Sequence, residues 1–110
     1  MAGFVKGDVV VVPFPFSDLS HSKKRPALVI STLEGDDIIL CQITSQAIKD
    51  DYAILLTEED FAKGRLKQQS NIRPNRIFTA DGHIVLYKVG SLKREKLKEV
   101  IEKIIGIIQI

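Results

Sequence analysis

Short runs of aliphatic residues alternate with short polar segments along most of the chain, and this pattern predicts a series of β-strands. Residues 9–12, VVVV, predict a strand that is buried on both faces. Pro13 and Pro15 are expected to end its regular pairing, because proline has no backbone N–H to donate. The other predicted strands are residues 26–30, 38–43, 52–56, 70–77 with a break at Pro74, and 84–89.

The segments between these strands carry turn and helix signals. Residues 34–37, EGDD, predict a turn that joins two strands into a hairpin, because glycine accepts a positive φ at little cost. Thr57 and Asp60 have the spacing of a capping box, which predicts a short helix that Gly64 would end. Asp81 and Gly82 predict a turn before the last strand.

The C-terminal segment predicts one amphipathic helix with Ser91 as its cap and Glu99 paired with Lys103. Its apolar residues recur at helical spacing and form one stripe: Leu97, Val100, Ile101, Ile104, Ile105 and Ile108. We interpret the stripe as core packing, with a dimer or partner surface as the alternative. Several short strands followed by one such helix predict a small barrel on which the helix packs.

Composition adds limits to this picture. The chain has 110 residues, which predicts a single domain over residues 1–110. The net charge is only +2, so any surface for nucleic acid must come from local clustering. The single cysteine, Cys41, excludes an internal disulfide and is expected to be a buried, reduced thiol. No signal peptide and no apolar run of about 20 residues is visible, so we expect a cytoplasmic protein that does not span a membrane.

The sequence has none of the common motifs for metal-dependent or triad hydrolysis. No Cys/His group has zinc-ligand spacing, no G-x-x-x-x-G-K loop occurs, and no G-x-S-x-G elbow is present. We therefore expect neither a metal site nor a cofactor.

Three polar segments interrupt the predicted strands, each at a strand end. They are residues 23–26 (KKRP), 44–46 (TSQ) and 70–76 (SNIRPNR). A barrel can gather strand ends on one rim, where these arginines, lysines, hydroxyls and amides would suit a phosphodiester. The alternative is that the segments only solvate loops.

Residues 7–31, GDVVVVPFPFSDLSHSKKRPALVIS, resemble the opening of the MazF/PemK family of type II toxin–antitoxin toxins. Residues 41–46 (CQITSQ) and 70–81 (SNIRPNRIFTAD) are similar to later signatures of the family, and residues 90–92 before the helix are similar to its closing pattern. The resemblance spans nearly the whole chain. It implies a mainly β fold with one α-helix, an SH3-like small β-barrel of the CcdB/MazF toxin type.

The resemblance also implies an activity and partners. Family members cleave single-stranded RNA, including mRNA, without metal. The 2′-hydroxyl attacks the adjacent phosphate and leaves a 2′,3′-cyclic phosphate. The implied partners are single-stranded RNA, a cognate antitoxin with a disordered acidic segment, and a second copy of the chain in a homodimer.

Four catalytic residues are implied by position: Arg25, Thr44, Arg73 and His21. Arginine is a poor base at neutral pH, so Arg25 is expected to stabilise charge in the transition state, and Thr44 to hold a phosphate oxygen. Relatives of the Kid type carry an aspartate two residues after the arginine that Arg73 matches, but this chain has Asn75, which cannot act as a base. His21 is the replacement candidate for the base or acid.

The remaining polar residues of these segments are assigned to RNA binding. They are Ser17, Lys24, Ser45, Gln46, Ser70, Asn71, Asn75 and Arg76. Asp8 is expected either to pair with Arg25 or Arg73 or to lie exposed at a strand edge. His83 is expected to be structural or solvated.

Two other functions remain open from the sequence. One is a non-enzymatic toxin of the CcdB type that binds gyrase, in which a C-terminal tryptophan acts. This chain has no tryptophan and ends in Gly-Ile-Ile-Gln-Ile, which argues against it. The other is an inactive SH3-like binding module, which Asn75 keeps possible.

Overall fold

The computed structural model describes residues 3–14 and 23–110. In the described part, seven β-strands precede one α-helix, with short 3₁₀ turns at Glu58–Asp60 and Gly82–Ile84. The elements are β1 (Asp8–Phe14), β2 (Lys23–Thr32), β3 (Asp37–Thr44), β4 (Ile54–Leu56), β5 (Phe61–Gly64), β6 (Ser70–Asp81), β7 (Tyr87–Leu92) and α1 (Arg94–Ile108).

The strands form one curled antiparallel sheet in the order β4-β6-β3-β2-β1-β7-β5. The sheet curls into a half-barrel whose two edges are the short strands β4 and β5. Short edge strands limit unwanted pairing with other chains. The predicted small β-barrel with a C-terminal helix is confirmed in this form.

Strand β1 runs through the centre of the sheet and is buried on both faces, as the run of four valines predicts. Val9 belongs to the core cluster that α1 covers, whereas Val10 and Val12 belong to a second cluster on the opposite face. These side chains alternate between the faces because successive residues of a strand point in opposite directions.

Helix α1 packs on the first core cluster through the beginning of its apolar stripe. Val100 and Ile104 are buried there, whereas Ile108 is 68% exposed. The predicted cap was wrong: the helix begins after Lys93, and Ser91 belongs to β7. Glu99 forms its ion pair with Lys96, with 3.2 Å between Oε1 and Nζ, instead of the predicted pair with Lys103. No helix of the described residues is long and apolar enough to cross a membrane.

Two prolines interrupt the sheet less than predicted. Pro13 still pairs with Lys24 in register. Strand β6 continues past Pro74 because β3 pairs with residues on either side of it: Gln42 opposes Arg73, and the next pair is Cys41 with Ile77. Residues 74–76 therefore leave the ladder as an irregular segment, where proline needs no backbone donor.

The predicted capping box at Thr57 and the predicted turn at Gly82 are both present, but the elements around them have other bounds. The Thr57 N–H donates to Asp60 Oδ2 at 2.8 Å, as in a capping box, but the helix is a single 3₁₀ turn. Gly64 ends β5 instead of that helix. The predicted last strand begins later than residue 84, because the 3₁₀ turn at Gly82–Ile84 occupies its start.

Two glycines allow β5 and β7 to approach closely. Gly64 pairs with Gly90 and has a φ of +71°. A Cβ atom on Gly64 would lie 2.0 Å from the carbonyl oxygen of Val89, and one on Gly90 would lie 2.3 Å from that of Lys63. Neither position has room for a side chain.

Candidate functional site

A cavity of about 500 Å³ lies where β2, β3 and β7 meet the segment that connects β5 to β6. Clefts of this size are typical of sites for small ligands or single groups of larger ones. Its lining residues are Val11, Lys24, Arg25, Pro26, Ile43, Thr44, Ser45, Arg65, Leu66, Lys67, Gln68, Ser70, Tyr87 and Val89. We call this space the rim cavity.

The strand register builds an apolar row across the rim cavity. Val11 pairs with Pro26 on one side and with Tyr87 on the other, so these three residues lie side by side on β2, β1 and β7. Leu66 packs against the first core cluster and anchors the segment that carries Arg65 and Lys67.

The charge in the rim cavity is of one sign. Its described lining contains four cationic side chains, those of Lys24, Arg25, Arg65 and Lys67, and no carboxylate. Arg65 has an exposed partner in Glu58, with 3.5 Å between Nη1 and Oε1. Four cations around an apolar floor suit an anionic ligand with apolar faces.

Arg25 and Thr44 come from neighbouring strands. Ala27 pairs with Gln42, and the same register continued by two residues would bring Arg25 opposite Thr44. Both residues line the rim cavity, and Arg25 is half-buried in β2 opposite Val12. The structure therefore brings together the two residues that the family resemblance implies at the centre of the site.

The Thr44 hydroxyl has a fixed backbone partner. The residue is only 4% exposed, and its Oγ1 accepts a hydrogen bond from the Gln46 N–H at 3.2 Å. The Gln46 carbonyl in turn accepts from Asn71 Nδ2 at 3.2 Å, and Asn71 pairs with Thr44 across β3 and β6. Because Oγ1 accepts that backbone N–H, its own O–H remains available as a donor.

Arg73 is held outside the lining of the rim cavity. Its Nη2 lies 3.2 Å from Asp50 Oδ2, and its side chain is 17% exposed. Its Nε is buried without a hydrogen-bond partner among the described residues. Arg73 therefore ties β6 to the loop that follows β3.

Asp50 is an ionised partner for Arg73. Burial by itself raises the pKa of Asp50, but hydrogen bonds from the N–H groups of Ala53 and Tyr52 and from the Arg73 guanidinium outweigh it, so the pKa lies below its ordinary value. A carboxylate with a lowered pKa is a weak base. Asp50 therefore does not take over the role of the aspartate that Kid-type relatives have at the position of Asn75.

Five of the other predicted site residues lie at or beside the rim cavity. Lys24, Ser45 and Ser70 line it, and Gln46 and Asn71 lie beside it in the network around Thr44.

The other four predicted residues lie outside the cavity lining or outside the described part of the chain. Asn75 and Arg76 are exposed in the irregular segment of β6 and do not line the cavity. Ser17 and His21 lie outside the described residues.

Asp8 corrects both expectations for it. It is 1% exposed, so it is not an edge carboxylate, and it contacts neither arginine. Its Oδ2 accepts from the Val5 N–H at 3.0 Å, and its Oδ1 lies 3.0 Å from Lys88 Nζ in an ion pair that lacks hydrogen-bond geometry. Asp8 thus fastens the segment before β1 to β7.

Cys41 and His83 behave as structural residues. Burial raises the pKa of the Cys41 thiol to about 12, and its Sγ–H donates to the Arg73 carbonyl at 3.0 Å. A thiol that stays protonated at neutral pH is not a nucleophile. His83 is exposed, with its Nδ1 2.8 Å from Asp81 Oδ1. Within residues 3–14 and 23–110, no group of three or more His, Cys, Asp or Glu side chains could hold a metal ion.

Sequence reasoning missed the wall formed by Arg65, Lys67, Gln68 and Tyr87. The first three directly precede the polar segment that begins at Ser70, so extending that segment by five residues would have included them. Tyr87 falls in the predicted strand 84–89 and directly follows three aliphatic residues, a position at which a core residue is expected.

A larger groove of about 800 Å³ lies between β4 and α1. Its described lining mixes three carboxylates, on Glu95, Glu99 and Glu102, with Lys98 and Lys103. A phosphodiester would meet repulsion there, so the rim cavity is the better candidate for an anionic ligand.

Comparisons with known proteins agree with this fold. Among solved structures, MazF from Deinococcus radiodurans aligns with a TM-score of 0.77 at 18% identity, over 97% of each chain. An endoribonuclease in complex with its cognate antitoxin from a mycobacterial species aligns with a TM-score of 0.75 at 12% identity, over 98% of this chain and 97% of the other. The Mycobacterium tuberculosis toxin MazF-mt6 gives 0.72 at 15% identity, over 94% and 97%.

At these identities the structural matches speak for the fold alone. A comparison with curated proteins gives no match. The family model of PemK-like, MazF-like toxins matches residues 5–108, which is nearly the whole chain. The chain therefore belongs to the PemK-like, MazF-like family of toxins of type II toxin–antitoxin systems.

Proposed function

We propose that this protein is the endoribonuclease of a type II toxin–antitoxin system and that it cleaves single-stranded RNA without metal. The observation that carries the proposal is the rim cavity. Its described lining includes Arg25 and Thr44, has four cations of which Arg25 is one, and has no carboxylate. The solved relative named as an endoribonuclease shares the fold. A phosphodiester is the ligand that matches an apolar floor with a cationic rim.

In the proposed reaction, the RNA 2′-oxygen attacks the adjacent phosphorus and the bond to the 5′-oxygen breaks. The products are a 2′,3′-cyclic phosphate and a free 5′-hydroxyl. Arg25 donates hydrogen bonds to the phosphorane oxygens, where negative charge grows, and Lys24 adds to the positive field. Thr44 donates its O–H to a non-bridging oxygen, while its Oγ1 continues to accept the Gln46 N–H.

The proton of the 2′-hydroxyl needs a base, and the described lining offers neither a carboxylate nor an imidazole. We assign this role to His21, which lies between β1 and β2 in the sequence, since imidazole exchanges protons near neutral pH. The 5′-oxygen takes up a proton from solvent water as it leaves. Arg73 acts through the loop after β3, which it holds by way of Asp50.

The remaining partners follow from the same function. A cognate antitoxin would neutralise the cationic rim with an acidic segment that folds on binding. A MazE–MazF structure from Deinococcus radiodurans, which aligns with a TM-score of 0.77 at 18% identity, contains such a relative together with a second protein. We place the protein in the cytoplasm as a homodimer.

The test is to incubate the purified protein with a mixed-sequence RNA in EDTA and analyse the new ends. We expect cuts in single-stranded regions, with cyclic phosphate on one side and 5′-hydroxyl on the other. Duplex RNA of the same sequence is the control and should stay intact, because its bases cannot be splayed apart. Intact single-stranded RNA at several sequences would refute the proposal and favour an inactive binding module.

A further inference from the structure

The rim cavity is wider than one phosphate requires, and its far wall carries a distinct set of side chains. Arg25 and Thr44 lie on β2 and β3, whereas Tyr87 lies on β7, two strands away from β2. The row through Val11 separates Pro26 from Tyr87 by two interstrand spacings, which is about 10 Å. Arg25 and Thr44 therefore line one end of the rim cavity and Tyr87 lines the other end.

Tyr87 is unusual for a residue in an inner strand. It is 52% exposed, although β7 lies between β1 and β5. Val11, which pairs with Tyr87 across β1 and β7, and Val89 line the same cavity and give its surroundings an apolar character. An exposed aromatic ring beside cations is the usual platform on which proteins stack unpaired bases.

Two cations lie on the same wall. Arg65 and Lys67 flank Leu66, whose burial against the core fixes this segment. Gly64 precedes it and packs directly against the backbone at Val89, so the segment leaves the sheet next to the strand that carries Tyr87. The ring and the two cations thus come from neighbouring segments of the chain that line one cavity.

We propose that Tyr87, Arg65 and Lys67 form a second nucleotide subsite, in which the Tyr87 ring stacks on the base next to the cleaved phosphodiester. Arg65 and Lys67 hold the phosphate that follows this base. The inference rests on the RNA function proposed above and specifies its substrate as at least two consecutive unpaired nucleotides. The cleavage centre at Arg25 and Thr44 is separate from this subsite.

The experiment measures binding of a mixed-sequence, fully 2′-O-methylated RNA, which lacks the attacking hydroxyl and stays uncut. The variants are Tyr87→Leu, which keeps an apolar side chain without a ring, and Tyr87→Phe, which keeps the ring. We expect Tyr87→Leu to weaken binding by roughly 5- to 150-fold, the loss typical of one stacked base. Tyr87→Phe should bind within about twofold of the wild type.

The matched control is Tyr52→Leu, since Tyr52 is also an exposed tyrosine but lies outside the rim cavity. Equal affinities of Tyr87→Leu and Tyr52→Leu would overturn the inference, and so would an equal loss in Tyr87→Phe and Tyr87→Leu. Thermal unfolding verifies that each variant is folded. For the cations, Lys67→Ala should reduce the slope of log K against log salt concentration by about 0.7, and an unchanged slope would remove Lys67 from the subsite.

The outcomes separate the two proposals. If the wild-type protein cleaves RNA and binds the methylated RNA while Tyr87→Leu binds as well as the wild type, only the subsite is refuted. If the wild-type protein neither cleaves RNA nor binds the methylated RNA, the proposed function itself fails and the subsite fails with it.

Discussion

Replacing Arg25 with alanine is expected to lower the rate of RNA cleavage by at least about 100-fold and to leave the fold intact. A guanidinium can grip two phosphate oxygens at once, and that of Arg25 lines the rim cavity together with Thr44 of the neighbouring strand. Its removal leaves the growing charge of the phosphorane without its main donor. Initial rates on one defined single-stranded RNA measure the effect.

Two variants make the Arg25 result specific. Arg25→Lys keeps the charge but loses the planar fork, so it should recover only part of the activity. Arg94→Ala removes one positive charge from the start of α1, away from the rim cavity, and should cleave at nearly the wild-type rate. Full activity of Arg25→Ala, with its melting temperature unchanged, would show that the reaction centre lies elsewhere.

The second large effect is expected from Gly64→Ala, which should cost roughly 3 kcal/mol of folding stability. A non-glycine residue at a φ of +71° costs about 1–2 kcal/mol. The new Cβ would also lie 2.0 Å from the Val89 carbonyl oxygen, which forces β5 away from β7 and adds about 1–3 kcal/mol. Thermal unfolding should show a loss of roughly 10–20 °C for a domain of this size.

Gly35→Ala separates the two causes. Gly35 has a φ of +75° in the hairpin turn between β2 and β3, but nothing lies within 4 Å of the position of its added Cβ. It should therefore lose only the backbone part, about 1–2 kcal/mol. Equal losses of folding stability in the two variants would mean that the close approach of β5 and β7 contributes nothing to stability. The position of the segment with Arg65 and Lys67 would then not depend on that approach.

The sequence predicted six of the seven strands, because local hydrophobic patterns indicate which residues are buried, whereas β5 was assigned to a short helix. The four valines of β1 and the aliphatic run of β3 predict their strands without any knowledge of the fold. Pro74 shows the limit of the rule, because its strand continues. The register lets residues 74–76 leave the ladder between Arg73 and Ile77, and that depends on β3, more than 30 positions earlier.

The candidate site could be predicted where it consists of polar residues at strand ends. It could not be predicted where segments that are far apart in the sequence come together. Arg25, Thr44 and Ser70 follow from the first kind of reasoning and all line the rim cavity. Tyr87 could not be assigned from the sequence, since it follows the aliphatic residues 84–86 in a predicted strand and its exposure is visible only in the folded sheet.

Partner choice among charged residues was the other failure. Asp8 was expected either to pair with Arg25 or Arg73 or to lie exposed at a strand edge, but β1 lies next to β7, which brings Lys88 to it instead. Arg73 pairs with Asp50, 23 positions away. Several partners of opposite charge are available to each of these groups in the sequence, and only the three-dimensional arrangement of strands and loops selects one.

We expect RNA to bind in the rim cavity, and amide chemical shifts measured during titration with the 2′-O-methylated RNA locate its binding site residue by residue. The largest shifts should occur at Lys24, Arg25, Thr44 and Ser45 and along residues 65–68. Shifts concentrated instead along the groove between β4 and α1, with the rim cavity unchanged, would contradict this expectation.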